Sequence, residues 1–225
     1  VTNADPASPA DEPGSAVENA AFVLALRERG VRDRAVLRAM ERVPRERFAP
    51  AAHRDLARRD LALPLPCGAT MTAPTTVAAM LVALDLAPGQ RVLEIGTGSG
   101  YVTALLLQLG AAAVTSLELH AGLAAAARER LGPGPALRVL RADGLAAPGE
   151  GPYDRILVNG SVTGLPGPWV AALAPGGRLV AGLAGAGQRG IGRLVAVERG
   201  ADGLFETLGA AIRLVPLQPG RAAAA

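Results

Sequence analysis

The chain has a single cysteine, Cys67, so no internal disulfide can form. It has only two histidines, His53 and His120, far apart in sequence and without cysteine companions, so no metal site is expected. Aromatic residues make up 3% of the chain, which leaves Ala, Val and Leu to build the core. Arginines account for the sequence pI of 9.9 and the net charge of +3. They are scattered, with short clusters such as Arg54, Arg58 and Arg59. A general attraction to polyanions follows from that charge. No basic stripe is interleaved with aromatics, however, so specific nucleic-acid recognition is disfavoured. No charged-then-apolar segment opens the sequence, and no run of about 18 apolar residues is free of charge and glycine. The expectation is a cytoplasmic protein with no membrane partner.

What the chain does have is length and apolar bulk. Its 225 residues suit one α/β domain with a short extension, and 50% of them are apolar. The abundance of alanine and glycine reads as genome composition bias. The most informative stretch is Val92-Leu93-Glu94-Ile95-Gly96-Thr97-Gly98-Ser99-Gly100-Tyr101. An apolar strand runs into three alternate glycines, and an apolar helix follows from Val102 to Leu109. Glycine lets a backbone turn sharply and lets a ligand come close to the main chain. The spacing is G-x-G-x-G rather than the G-x-G-x-x-G of dinucleotide binders. A carboxylate at Glu94, two residues before the first glycine, would repel a diphosphate and attract an ammonium. S-adenosylmethionine therefore fits better than NAD.

Three further strand ends carry the polar group such a site needs. Ala113 to Glu118 ends in an acid about 20 residues past Gly96, placed to accept from ribose hydroxyls. Val139 to Gly144 ends in Asp143-Gly144, suited to an adenine edge. Tyr153 to Asn159 would close the pocket beside the glycine loop, with Asn159 at its end.

Around this core the sequence reads as follows. Residues 1–14 are rich in Pro, Ala, Ser and Asp and are expected to be disordered. Ser15-Ala16-Val17-Glu18 reads as a capping box opening a helix that ends at Gly30. A second helix, Asp33 to Arg42, stops at Val43-Pro44. Residues 45–75 form a proline-rich loop of the functional kind, and 15–75 together form a helical extension. The core that would bind S-adenosylmethionine spans 76–218, led in by a helix over Pro74 to Leu84, and 219–225 is a flexible tail. All of it belongs to one structural domain. Alternating strands and helices predict a mostly parallel, doubly wound sheet. Arg193 to Glu198, Leu204 to Leu208 and Ile212 to Leu217 look antiparallel, after a glycine-rich, mobile Gly182 to Gly192.

Taken together, roughly residues 20–218 resemble the protein-L-isoaspartate O-methyltransferase family. Besides the Leu93-to-Tyr101 run, the resemblance rests on Arg42-Val43-Pro44-Arg45-Glu46-Arg47-Phe48, Asp60 to Pro66, Ala69-Thr70-Met71-Thr72-Ala73-Pro74 and Ile212 to Leu217. It implies a seven-stranded Rossmann-like methyltransferase sheet with antiparallel C-terminal strands. It also implies S-adenosylmethionine as methyl donor, S-adenosylhomocysteine as product, and L-isoaspartyl proteins and peptides as partners of a monomer. Two positions depart from the family pattern. Thr75 stands where a His or Tyr is common, and Val158-Asn159-Gly160-Ser161 replaces Val-Thr-Ala-Ala.

A carboxylate is already ionised at pH 7 and needs no general base. The task left to the protein is alignment for in-line displacement. Neutral donors suit a nucleophilic carboxylate better than an arginine clamp, and the resemblance of the Ala69 to Pro74 loop to the family's implies Thr72 as the catalytic residue, helped by amides of the Thr70 to Pro74 loop. The expected cofactor-binding set is Thr70, Ala73, Pro74, Thr75, Glu94, Gly96, Thr97, Gly98, Ser99, Gly100, Glu118, Asp143, Gly144 and Asn159. Glu94 would lie near the ammonium or support the loop. Competing assignments are plain. Thr72 equally suits a helix-start hydroxyl, and Asn159 and Ser161 equally suit a cap. Cys67 suits a small buried residue, Trp169 packing on the sheet, and His120 the surface. Alternative functions are esterification of another carboxylate, in a peptide or a small acid, and cofactor sensing without turnover.

Overall fold

The computed structural model describes residues 13–185 and 191–220, with side chains from Val17 onward. The expectations for residues 1–12, for the tail beyond Gly220 and for the middle of the Gly182 to Gly192 stretch lie outside the described residues. Helix α1 (Pro13–Glu28) begins two residues before Ser15, so Ser15 is inside the helix and not its cap. Proline's fixed φ suits the first helical turn. Helix α2 (Arg34–Arg42) is capped by Asp33, whose Oδ1 accepts from the Val36 amide at 2.8 Å. Its Val36, Leu37 and Met40 are buried.

The long loop that follows is more ordered than its prolines suggest. It contains short 3-10 turns and a hairpin of β1 (Leu63–Pro64) and β2 (Thr70–Met71). Then α3 (Pro74–Leu84), β3 (Arg91–Ile95), α4 (Tyr101–Gln108), β4 (Ala113–Glu118), α5 (Ala121–Leu131) and β5 (Leu137–Arg141) alternate. They are followed by β6 (Tyr153–Val162), α6 (Gly167–Ala171), β7 (Leu173–Ala184), β8 (Ile191–Gly200) and β9 (Gly203–Arg213).

The sheet has seven strands in the order β5-β4-β3-β6-β7-β8-β9. The pairs from β5 through β7 are parallel, and β8 and β9 add on antiparallel. Strands β3 and β6 bury both faces, as parallel strands covered on two sides must. On one face Val92, Val114, Leu157 and Val180 pack under α1 to α4. On the other, Leu93, Ile95, Ile156, Val158 and Leu179 pack with Trp169 of the five-residue α6. The two expected C-terminal strands are in fact one. Strand β9 absorbs an irregularity between its Leu208–Val195 and Ala211–Arg193 pairings and continues past it. Residues Ala174 to Gly177 likewise form an irregularity inside β7.

The chain leaves β3 for β4 on one side and returns to β6 on the other. The C-terminal ends of β3 and β6 therefore flank a topological switch point, where a crevice opens in sheets of this kind.

Candidate active site

At the C-terminal end of β3, Gly96 adopts φ 93°, a left-handed conformation natural to glycine. A Cβ there would lie 3.1 Å from the Asn159 carbonyl oxygen, so the two strand ends meet backbone to backbone. Asn159 Nδ2 also donates to Gly96 O at 3.3 Å. At the end of β4, Glu118 is buried, and its carboxylate ties two turns together. Oε2 accepts from the Gly98 amide at 2.8 Å and Oε1 from the His120 amide at 2.9 Å. Past β5, Asp143 accepts from the Leu145 amide and the Gly220 amide, both at 2.9 Å. Trp169 Nε1 holds the Gly144 carbonyl at 2.7 Å from below. The indole packs on the sheet, as expected.

These ends open on one cleft of about 750 Å³, part of it continuous with solvent. Of the expected residues, Thr70, Thr72, Gly96, Gly98, Glu118, Asp143, Gly144 and Asn159 line it together. Seven others do not. Ala73 and Pro74 open α3, and Gly100 opens α4. Thr75 is turned away from the cleft, its amide and hydroxyl both 2.9 Å from the Asp60 carboxylate. Thr97 and Ser99 are buried beneath the loop, with the Thr97 and Ser116 hydroxyls in contact.

Glu94 is 0% exposed and lies under the glycine loop, not at an ammonium. Its Oε2 accepts from Ser116 Oγ at 2.6 Å and from Thr103 Oγ1, while Oε1 has no partner among the described residues. Burial raises its carboxyl from the ordinary 4.5 to about 7, against the opposing pull of the two hydroxyls. Of its two expected places, the structure takes the one supporting the loop.

The far wall of the cleft comes from segments distant in sequence. Thr72 is 6% exposed, and its hydroxyl donates to Asn159 Oδ1 at 2.8 Å. After β9 the chain crosses back over β6: Ser161 N donates to Val215 O, and Leu217 N to Ser161 O, each at 2.9 Å. Gly160 allows the crossing, since a Cβ there would meet Leu217 Cδ2 at 2.5 Å. Val215 to Gln218 thereby line the cleft, as do Cys67 and His120. Sequence reasoning missed all of these. Cys67 is exposed at φ 59° in the Pro66–Gly68 turn, not a buried packing residue. The signal that would have found it was the Pro-Cys-Gly turn just before Thr70. For Val215 to Gln218 no local signal existed.

In chemical terms, one end of the cleft offers two carboxylates to donor groups such as hydroxyls and an exocyclic amine. The middle is bare backbone at the glycines, and the other end presents a neutral hydroxyl–amide pair. A nucleoside, with its hydroxyls and exocyclic amine, fits the end that carries the two carboxylates.

The family model for protein-L-isoaspartate(D-aspartate) O-methyltransferase (PCMT) matches residues 17–221. Protein-L-isoaspartate O-methyltransferase 2 of Rhodopseudomonas palustris is 47% identical over 205 residues, 90% of this chain and 94% of its own. The Xanthobacter autotrophicus protein-L-isoaspartate O-methyltransferase is 43% identical over 223 residues, 96% and 99% of the two chains. A Plasmodium falciparum structure assigned to the same activity, in complex with S-adenosyl-L-homocysteine, shares the fold. Its TM-score is 0.76 at 22% identity, with 88% of this chain and 97% of that one covered. The chain belongs to the PCMT family.

Proposed function

We propose that this chain, as a member of that family, transfers the methyl group of S-adenosylmethionine to the free carboxylate of L-isoaspartyl residues in proteins and peptides. The observation that supports this most directly is the shared cleft. Glu118 and Asp143 stand at one end, and the neutral Thr72–Asn159 pair stands at the other, with no arginine or lysine among the described residues that line the cleft. The donor supplies a methyl carbon already activated by the sulfonium. The acceptor oxygen bonds to that carbon as the carbon–sulfur bond breaks and its electron pair returns to sulfur, leaving a methyl ester and a neutral thioether. No proton moves, so no general base is needed. In our reading Glu118 takes the ribose hydroxyls on its remaining lone pairs, Asp143 and Gly144 bound the adenine, and Gly96 and Gly98 pass under the methionine part. The Thr72 hydroxyl exchanges Asn159 for the acceptor carboxylate, holding it without neutralising it. The protein's contribution is alignment and exclusion of water. A monomer is part of this proposal, as is a cytoplasmic location, with which the lone cysteine is in keeping. No helix among the described residues is long and apolar enough to cross a membrane.

The test is transfer of labelled methyl to two synthetic peptides identical except for isoaspartate against normal aspartate. Base-labile label on the isoaspartyl peptide alone is the expected result. Label on neither, with S-adenosylhomocysteine still bound in a calorimeter, would overturn the acceptor assignment and leave the cofactor assignment standing.

A further inference from the structure

The stretch Arg42 to Phe48 plays no part in the chemistry above, yet it places a charge at the centre of the acceptor wall. Arg45 is 1% exposed and pairs with no carboxylate among the described residues. Its two terminal nitrogens donate to main-chain carbonyls, while the buried Nε has no partner among the described residues. Nη1 donates to Ala57 O, and Nη2 lies 3.1 Å from Leu61 O, 3.4 Å from Met71 O and 3.0 Å from Thr72 O. Its Cζ lies 6.0 Å from the ring centre of Tyr101, against which Phe48 also packs at 5.7 Å. Tyr101 is the first residue of α4, directly after the glycine loop. One buried cation thus touches both the acceptor loop and the helix that carries the cofactor loop.

The direction of those carbonyls has a consequence. In a trans peptide the N–H of the next residue points opposite to the C=O. With the carbonyls of Met71 and Thr72 both turned to Arg45, the amides of Thr72 and Ala73 point away from it. Neither amide has a hydrogen-bond partner among the described residues. Thr72 meanwhile lines the cleft. Two consecutive amides, unpartnered among the described residues, thus turn away from Arg45 next to the Thr72 hydroxyl, with Thr72 lining the cleft and Ala73 following it at the start of α3.

We propose that Arg45 is a positioning residue for methyl transfer, which fixes the Met71 and Thr72 carbonyls so that the Thr72 and Ala73 amides, with the Thr72 hydroxyl, receive the acceptor carboxylate. The charge acts through two peptide dipoles and not on the carboxylate directly. A direct Arg–carboxylate pair would lower the nucleophile's reactivity, whereas polarised amides orient it and leave its lone pairs available. The inference rests on the reading of the Thr72 loop as the acceptor wall.

The test compares wild type, Arg45→Lys, Thr72→Ala and the double variant on an isoaspartyl peptide, with S-adenosylhomocysteine affinity measured alongside. An ammonium cannot fork over several carbonyls as a guanidinium does, so kcat of Arg45→Lys should fall roughly 10-fold or more while cofactor affinity stays within about 2-fold. If Arg45 acts through the loop, the double variant should be slower than the slower single variant by no more than about 2-fold. An unchanged kcat, a loss of cofactor affinity in step with kcat, or fully multiplicative effects would overturn the proposal. A second measurement needs no variant. Hydrogen exchange at the Thr72 and Ala73 amides of the wild type should slow when isoaspartyl peptide joins S-adenosylhomocysteine, and unchanged exchange there would equally overturn it. Wild-type turnover of the peptide is the control. Its absence would refute the acceptor reading and the Arg45 role with it, whereas turnover with undisturbed amides refutes Arg45 alone.

Discussion

The two walls of the cleft are built on opposite plans. The wall carrying Glu118, Asp143 and the glycine loop is largely local, with the Gly220 amide on Asp143 and the Trp169 indole on Gly144 as its distant ties. Glu118 binds the amide two residues on, Asp143 does the same, and the buried acid Glu94 is held by hydroxyls from the next helix and strand. The wall carrying Thr72 is assembled from afar. The Thr72 hydroxyl meets Asn159 across 87 residues, Arg45 reaches carbonyls up to 27 residues on, and Ser161 holds Leu214 across 53. A buried acid underlies one wall and a buried base the other. The difference teaches that a binding motif for a common cofactor can live in one supersecondary unit. Recognition of a particular acceptor, in contrast, recruits segments that only the complete fold brings together.

The sharpest way to break that contrast is at the buried acid, where the largest effect is expected. Glu94 holds its proton up to about pH 7 in the folded chain, against an ordinary value of 4.5. Between those values the folded state keeps a proton that the unfolded chain has lost. Stability from this group is therefore present below about pH 4.5 and is lost as pH rises toward 7. Glu94→Gln has no proton to lose. Its stability relative to wild type should rise by up to about 3 kcal/mol between pH 5 and pH 8. Urea melts of both proteins across that range check this, and parallel curves would mean that the carboxylate is ionised throughout.

Glu118→Ala comes next. It removes the proposed acceptor for the ribose hydroxyls and frees the Gly98 and His120 amides. Affinity for S-adenosylhomocysteine should drop by roughly 1.5–3 kcal/mol. Calorimetry showing unchanged binding would take the cofactor off this wall.

The local plan explains why the first wall was legible and the second was not. Strand, glycines and the acids at the ends of β4 and β5 sit in short contiguous runs, so spacing alone placed Gly96, Glu118 and Asp143 in one cleft. Periodicity also gave α3 and β4 at their observed bounds. The same local reading misplaced Glu94 in part, since a sequence does not show that Ser116 and Thr103 converge on it from the next strand and helix. It misread Thr75, because the Asp60 that takes its hydroxyl lies 15 residues away in an irregular loop. It left Arg45 without a role, although the residue was in plain view, because its partners are carbonyls, which every residue has. Cys67 and Val215 to Gln218 escaped because a left-handed turn and a chain crossing place them, and neither feature has a periodicity.

Thr72→Ala tests the second wall by itself. The variant loses a hydroxyl that bonds Asn159 and, in our reading, the acceptor. A neutral hydrogen bond is worth about 1 kcal/mol, so kcat should fall about 5–10-fold while S-adenosylhomocysteine affinity stays within about 2-fold. Thr72→Ser should retain most of the activity. If Thr72→Ala lowered affinity and turnover equally, the two walls would not be separable, and the contrast drawn above would fail.

The smallest effect is expected at one of the local plan's few distant supports. Trp169 donates to the Gly144 carbonyl from 25 residues away, and its indole is 0% exposed beneath the segment proposed to bound the adenine. Trp169→Phe keeps most of the ring contact and removes only the N–H, leaving a buried carbonyl unsatisfied at a cost of about 1 kcal/mol. That cost can appear in two places. If the Gly144 turn is held in shape by β5 and the Asp143 bonds to Leu145 and Gly220, it appears in the stability of the free protein, and cofactor affinity does not change. If the turn needs the indole to keep its carbonyl out of the adenine edge, affinity falls a few-fold and part of the stability loss is recovered on binding. Thermal melts with and without S-adenosylhomocysteine separate the two. We expect the first outcome, because a wall built largely from neighbouring residues, and tied through Gly220 as well, should tolerate the loss of one remote tie.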